Sequence, residues 1–479
     1  MNKNSRRKFI KKSALIGSGF FIVPRNVLGG NGYVSPSDQM LIASIGSGGK
    51  GGDIRNKWAS KERVVALCDV HPDGSHGVIK SRKKYPNANF YLDFRELLDK
   101  EKDLDAVTIS TPDHTHGIIG NNAMNRGLHV YIQKPLTHNI EEARILTKTA
   151  KKNKVVTQMG NQGGSSLGVN KIKEWVNNKS IGKISKVYSW TNRPVWPQGF
   201  EMPKPSTSKP ENLNWDLWLG PAQYRGYRPE FHPFNWRGWW DYGTGALGDM
   251  ACHIMEPPFR ILGLGYPKSA ECSVGSVYVG EFKRGYFPES CPPSSHITLR
   301  FDRPGKEDLE FHWMDGGIMP TRPEELGPNE QMGDGGNGVI IEGTKGKMMC
   351  STYGANPLLL PTSKTKDISV KKSLYRVPGG NQGHYENWVN ACIAGYGSTE
   401  FKQLSSPFSI AGPLTESILV GNLAIRSYDY QVPRAGNSNQ MDYPGRGIKL
   451  LWDGPNLKIT NFEPANQFVT RNYRPGYTL

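Results

Sequence analysis

Short apolar runs that end on a glycine or an acid recur through the first third of the chain. Met40 to Ile45 stops at a glycine-rich turn and Arg63 to Cys68 stops at Asp69. Asp105-Ala106-Val107-Thr108-Ile109, His129-Val130-Tyr131-Ile132 and Val155 to Met159 follow at helix-length intervals. Continuous runs this short read as strands buried on both faces, and their alternation with helices predicts a doubly wound parallel sheet. Asn139 with Glu142 three residues on predicts a helix start, after which Ala143, Leu146 and Ala150 line one face. Beyond about residue 162 the period changes. His296 to Phe301 and Leu309 to Trp313 alternate polar with apolar, and Val339-Ile340-Ile341 and Met348-Met349-Cys350 flank a Gly-Thr-Lys-Gly turn. These predict antiparallel strands with one covered face. Later helices are expected around Tyr385, Trp388, Val389 and Cys392 and from Pro413 to Arg426, with long loops at 197–212 and 315–338. The expected fold class is therefore α/β followed by α+β: a nucleotide-binding type of domain at 38–162 and a second domain at 163–479.

The N-terminus adds a destination. The first thirty residues carry Lys3, Arg6, Arg7, Lys8, Lys11, Lys12 and Arg25 with no acid, then an apolar run from Ala14 to Val23. This is the layout of a signal peptide, assigned to residues 1–30, and Ser5-Arg6-Arg7-Lys8-Phe9-Ile10-Lys11 has the twin-arginine form. It implies export of an already folded protein to the periplasm by the Tat machinery. The run is too short for a permanent membrane span. An Ala-x-Ala cleavage site is missing around Val27-Leu28-Gly29-Gly30, so removal of the signal is left open. The formal net charge is +17, but seven of those excess positive charges lie in this leader. The other Lys and Arg are interspersed with acids, which argues against nucleic acid as a partner. Six cysteines without a Cys-x-x-Cys pair, mostly inside apolar patterns, read as free buried thiols.

The turn Gly46-Ser47-Gly48-Gly49-Lys50-Gly51 follows the first strand. In Gly-x-Gly-x-x-Gly the first glycine permits the tight turn, the second admits a pyrophosphate to the backbone, and the third lets helix and strand pack closely. Gly46, Gly48 and Gly51 fill those places. Asp69, eighteen residues past Gly51, ends the second strand, where a carboxylate accepts both ribose hydroxyls of NAD and repels the 2′-phosphate of NADP. Soluble NAD is not expected outside the inner membrane, so the cofactor is expected to stay bound and to be regenerated in place.

Dehydrogenation of an alcohol needs a group that takes the hydroxyl proton while hydride leaves carbon. Lys134 in Gln133-Lys134-Pro135, and Asp249 and His253 four apart on one helical face, are the candidates. Asp249 and His253 could instead be half of a metal site, with His114-Thr115-His116 as the other half. No further set has ligand spacing, so no metal is expected. Among Trp215, Trp218, Trp236, Trp239, Trp240 and Tyr242, Trp239 and Tyr242 are candidate stacking platforms for a sugar ring. Asn161, Arg193 and Trp196 are further substrate-contact candidates.

These motifs, in this order, resemble the Gfo/Idh/MocA oxidoreductases: the glycine turn, Asp69, Ser110-Thr111-Pro112-Asp113-His114-Thr115-His116, Gln133-Lys134-Pro135, and Gly245 through His253. The resemblance implies an N-terminal Rossmann domain and a C-terminal domain with an open-faced, mainly antiparallel sheet often used for homo-oligomerisation. It implies that Lys134 is the catalytic lysine, His253 the acid/base and Asp249 the carboxylate that orients substrate and tunes that histidine. Thr111, Pro112, His116 and Pro135 then line the nicotinamide pocket. Gln133 departs from the usual Glu, which removes a carboxylate beside Lys134, and Thr244 replaces a common glycine. The implied activity is NAD-dependent oxidation of a ring hydroxyl in a sugar, glycoside or cyclic polyol during carbohydrate breakdown. Redox-assisted glycoside hydrolysis and non-catalytic sugar binding are the alternatives.

Overall fold

The computed structural model describes residues 39–53, 62–74 and 76–479. The twin-arginine leader lies outside them.

Six parallel strands form the first sheet in the order β3-β2-β1-β4-β5-β6, with β1 at Met40–Ile45, β2 at Glu62–Cys68, β3 at Asn89–Tyr91, β4 at Ala106–Ile109, β5 at His129–Ile132 and β6 at Thr157–Met159. Five of the six match the apolar runs. β3 carries only three residues, none of them fully buried, so it leaves no apolar run to detect. The strand order reverses direction between β1 and β4, and the crevice outside their carboxyl ends is where such sheets bind ligands. Asn139 caps the helix Ile140–Asn153 by accepting the N–H of Glu142, and Ala143, Leu146 and Ala150 are buried along it as their spacing predicts.

The second sheet has nine strands, mostly antiparallel, with one parallel pair between Ile184–Trp190 and Leu309–Met314. Along Ser295–Phe301 the odd positions are buried and His296, Thr298 and Arg300 are half-buried, so one face is covered and the other open. The covering helix Phe408–Tyr428 packs on Ser269–Val274 and Ser295–Phe301 and also on Ile140–Asn153 of the first domain. Among the described residues it is the one helix long and apolar enough to cross a membrane, and it is mostly buried inside the protein. It starts at Phe408, earlier than the expected Pro413, which sits inside it.

Sheet membership changes between β6 and Ile184–Trp190, but the helices do not keep to the sheet nearest in sequence. His384–Ala394 returns to the first sheet, where Tyr385, Trp388, Val389 and Cys392 join Met40, Ile42, Ala106 and Tyr131 in one apolar cluster. A sheet buried on both faces needs this layer, and here residues far along the chain supply it. The six cysteines are free, five of them buried.

Candidate active site

A cleft of about 570 Å³ opens at the carboxyl ends of β1, β2 and β4. Gly46 has φ +78°, and a Cβ there would stand 2.7 Å from the Ser110 carbonyl carbon, so only glycine lets the turn pass this close to the loop after β4. A Cβ on Gly51 would run into the carbonyl oxygen of Gly46. Asp69 is buried at the end of β2, with Oδ2 accepting the Gly48 N–H (3.1 Å) and Oδ1 the His71 N–H (3.1 Å). A glycine cradle that admits a pyrophosphate, beside a fixed carboxylate that accepts ribose hydroxyls, is what NAD requires, and these residues fit it. Gly46, Gly48, Asp69, Thr111, Pro112 and Lys134 all line the cleft. Gly51, His116 and Pro135 stand one layer behind. His116 is buried between the carbonyls of Pro135 and Thr111, each 2.8 Å away, and burial pushes its pKa down to about 4.

At the far end of the cleft Lys134, which follows β5, meets the helix Gly245–Ile254. Its Nζ donates to Oδ1 of Asp249 (2.7 Å) and to the Asp249 carbonyl (2.9 Å). The carboxylate that Gln133 fails to supply is thus provided from the other domain. Nε of Arg237 donates to the same Oδ1 at 3.0 Å. Burial alone would raise the Asp249 pKa, but Lys134 and Arg237 overrule it and hold the carboxyl well below the usual range. The Arg237 guanidinium lies over the rings of Trp236 and Phe234, 4.3 and 4.5 Å from their centroids, which fixes its direction. One turn past Asp249, His253 is buried with Nδ1 unpartnered. Burial and then the Lys134 charge push its pKa down to about 3, so at neutral pH it is an uncharged base.

Against His253 stands Tyr353, ring edge to face at 4.9 Å, in a left-handed backbone (φ +64°) that tyrosine rarely adopts. The turn Gln162–Ser165 that Asn161 opens packs against both. Asn161 is fully buried with both amide atoms unpartnered, so an unsatisfied polar group sits at this domain junction. Arg193 is half-buried, donates to Oδ1 of Asn192 and lends positive charge to the surroundings of Tyr353.

Trp239 and Tyr242 do not lie where stacking platforms would. They are 1% and 0% exposed, packed on Phe231 in a separate aromatic cluster, and neither lines the cleft. Trp196 is likewise buried, its Nε1 donating to Gln198. Trp236 and Phe234 line the cleft, where they pack on the Arg237 guanidinium. His114 is also no surface ligand: Nε2 faces the Trp218 carbonyl at 3.0 Å and burial lowers its pKa to about 3.

Sequence inspection missed three residues. Arg237 is hidden among aromatics, and Tyr353 has no local signal. Asp113 had one, an acid directly after Thr111-Pro112 at a helix start, but it reads there as an ordinary first-turn acid. In the structure it lines the cleft, accepts the Thr244 hydroxyl at 2.8 Å, and is pushed up to about 7 by burial, against the pull of Arg237 and Lys134. The unusual Thr244 therefore has a partner of its own.

Known proteins match both parts of the chain. Residues 40–161 match the model described as oxidoreductase family, NAD-binding Rossmann fold, and 167–275 that of the oxidoreductase family C-terminal alpha/beta domain. A glycosyl hydrolase family 109 protein of Solibacter usitatus is 30% identical over 166 residues, 31% of this chain and 37% of that protein. Levoglucosan dehydrogenase of Pseudarthrobacter phenanthrenivorans is 22% identical over 189 residues, 38% of this chain and 39% of that protein. The chain thus spans well under half the length of these curated relatives. The WlbA dehydrogenase of Chromobacterium violaceum, solved with NADH and UDP-GlcNAcA, superposes with TM-score 0.52 at 15% identity, covering 81% of this chain and 94% of that one. A levoglucosan dehydrogenase solved with NADH and levoglucosan gives 0.50 at 15%, covering 80% and 96%. Those two share the fold. With both domains matched in order, the chain belongs to the Gfo/Idh/MocA oxidoreductase family, and its first domain is an NAD-binding Rossmann domain.

Proposed function

We propose that this protein oxidises a ring hydroxyl of a sugar, glycoside or cyclic polyol and keeps its NAD between half-reactions. The observation that carries the reading is the Lys134–Asp249–His253 constellation, in which Lys134 lines the NAD cleft and Asp249 and His253 are buried behind it. NAD, when bound, supplies a hydride acceptor at the carbon that bears the hydroxyl. His253, neutral at pH 7, takes the hydroxyl proton as the C–H bond breaks. Lys134 has spent two of its three N–H bonds on Asp249, which leaves one to hold the substrate oxygen. Asp249 and Arg237 fix that ammonium in place. Balance is simple: one hydride and one proton leave the alcohol and a ketone remains.

The family 109 relatives favour a second reading. A ring ketone acidifies the neighbouring C–H, so a base can remove that proton, the glycosidic oxygen leaves, water adds, and the returning hydride restores the alcohol. The net reaction is hydrolysis with no net redox change. The Arg6-Arg7 leader supports a periplasmic setting, in which retention of the cofactor is required by either route.

Protein purified from the periplasm and presented with a panel of glycosides is expected to show the reduced-nicotinamide band without added NAD. His253→Asn and Lys134→Met are expected to abolish it while nucleotide occupancy persists. Empty protein that needs a large excess of NAD overturns the retention claim, and an undiminished band in both variants overturns the site.

A further inference from the structure

We propose that His71, His76 and His232 bind one divalent transition-metal ion, zinc by preference, at the end of the cleft beside Asp69. One imidazole nitrogen from each residue lies within 4.8 Å of the other two. Nδ1 of His71 and Nε2 of His232 are 3.1 Å apart. Three nitrogens at zinc-ligand distance in tetrahedral array stand about 3.3 Å from one another, so a small contraction on the His76 side completes the set. Neither Asp249 with His253 nor His114 with His116, the halves weighed from spacing, belongs to this cluster. His71 and His76 belong to the loop after β2, while His232 comes from the second domain, 161 residues further on, which hides the cluster from any inspection of spacing.

A second observation points the same way. The other nitrogen of His71, Nε2, faces Oδ1 of Asp73 at 3.5 Å, and Asp73 itself accepts the Asn212 amide at 2.5 Å. His76 Nε2 is 3.7 Å from Oδ1 of Asp69. At His71 a carboxylate behind one nitrogen, with the other turned toward a companion imidazole, is the outer-shell arrangement of a metal-bound histidine. Three protein ligands leave the fourth tetrahedral position to a water.

The place of the cluster defines its consequence. His76 and His232 both line the cleft, and a Cβ on Gly48 would strike the His76 ring. An ion here joins the second domain's loop to the Rossmann domain across the adenosine end of the cleft. The site stands apart from the hydride chemistry and survives if that reading fails.

The test uses the full chain without an affinity tag, dialysed against chelator and equilibrated with Zn²⁺ or Co²⁺. One equivalent is expected to bind, Co²⁺ is expected to give the strong visible absorption of a tetrahedral site, and zinc is expected to raise the thermal midpoint. His71→Ala and His232→Gln are each expected to weaken binding at least tenfold to a hundredfold. His312→Ala, which breaks the other close histidine pair (His296 Nε2 to His312 Nδ1, 3.2 Å), is expected to leave it unchanged. Failure of the wild-type chain to take up an equivalent, or uptake that persists in the His71→Ala/His232→Gln double variant, overturns the proposal.

Discussion

Replacing Asp249 by asparagine removes a single charge from the point where the two domains meet. Lys134 and Arg237 stand 2.7 and 3.0 Å from its Oδ1. At an effective dielectric near 20, each pair at this separation contributes roughly 5 kcal/mol of Coulomb attraction, most of which is offset by desolvation. The loss on mutation is governed by what is left behind: two cations with no anion between them, a situation that costs about 3–5 kcal/mol in buried settings. Lys134 and Arg237 keep 15% and 22% of their side-chain exposure and can turn toward water, so about 3 kcal/mol is expected. The assay is urea unfolding of nucleotide-saturated protein at neutral pH, in a cycle with Lys134→Met. A coupling of roughly 1–3 kcal/mol is expected between the two positions. Hydride transfer in Asp249→Asn is expected to fall about 10²- to 10⁴-fold, with nucleotide affinity nearly unchanged because Asp69 and the glycine turn lie elsewhere. Stability within about 0.5 kcal/mol of wild type, or additive single mutants, refutes the reasoning.

Asp69→Ser removes the acceptor for the Gly48 and His71 N–H groups and the charge that repels a 2′-phosphate. NAD affinity by calorimetry is expected to drop by about 1.5–3 kcal/mol and NADP to gain relative to it; unchanged preference sinks the assignment. Gly51→Ala drives a methyl into the Gly46 carbonyl, so purified protein is expected to carry no nucleotide, and full occupancy contradicts the close packing. Acid is expected to destabilise the fold. Buried His114 and His253 are lowered to about 3 and His116 and His384 to about 4, all by desolvation first. Their unfolded pKa is about 6.5, so the unfolded chain binds more protons between about pH 4 and 6.5 and stability is lost as pH falls through that window. Asp113, Asp315 and Glu416, raised to about 7, 6 and 7 by burial, act in the opposite sense over the same range. With His138 and His232 also lowered, the imidazoles outnumber them. Thermal midpoints that hold steady from pH 7.5 to 5.5 would contradict this balance.

The first sheet was legible because parallel strands are apolar on both faces, and Met40–Ile45 and His129–Ile132 are read to the residue. Asn139 was legible because capping is a local interaction. What depended on distant partners was not. His384–Ala394 carries no mark that it covers the first sheet rather than the second. Trp239 and Tyr242 have the composition of sugar platforms, but composition does not say which rings of an aromatic cluster are buried, and these two are. Lys134, Asp249 and His253 were found by motif. Arg237 clamps the carboxylate from twelve residues away with no motif to mark it, and His232, which closes the histidine cluster, acts only across a domain boundary.

That boundary also bears on how nucleotide enters and leaves. One apolar core runs through both domains, from Val107 and Ile132 under the first sheet through Leu414 and Ile418 to Leu299 and Phe311 in the second. Buried ion pairs cross it: Arg144 to Glu416 and Arg471 to Glu142, each at 2.8 Å with the carboxylate almost wholly shielded. Opening the domains like a hinge would expose that core and unpair those charges, so exchange must instead proceed by displacement of the segments that rim the cleft, such as 232–237 and Tyr477. A route of that kind predicts slow release, and slow release has an isotopic signature. With a substrate deuterated at the reacting carbon and a large excess of unlabelled NAD in solution, a retained cofactor returns the label to product, whereas free exchange transfers it to the soluble pool. Deuterium recovered in soluble NADH at the rate of turnover would show that the rim opens every cycle, and the case for a captive cofactor would fail with it.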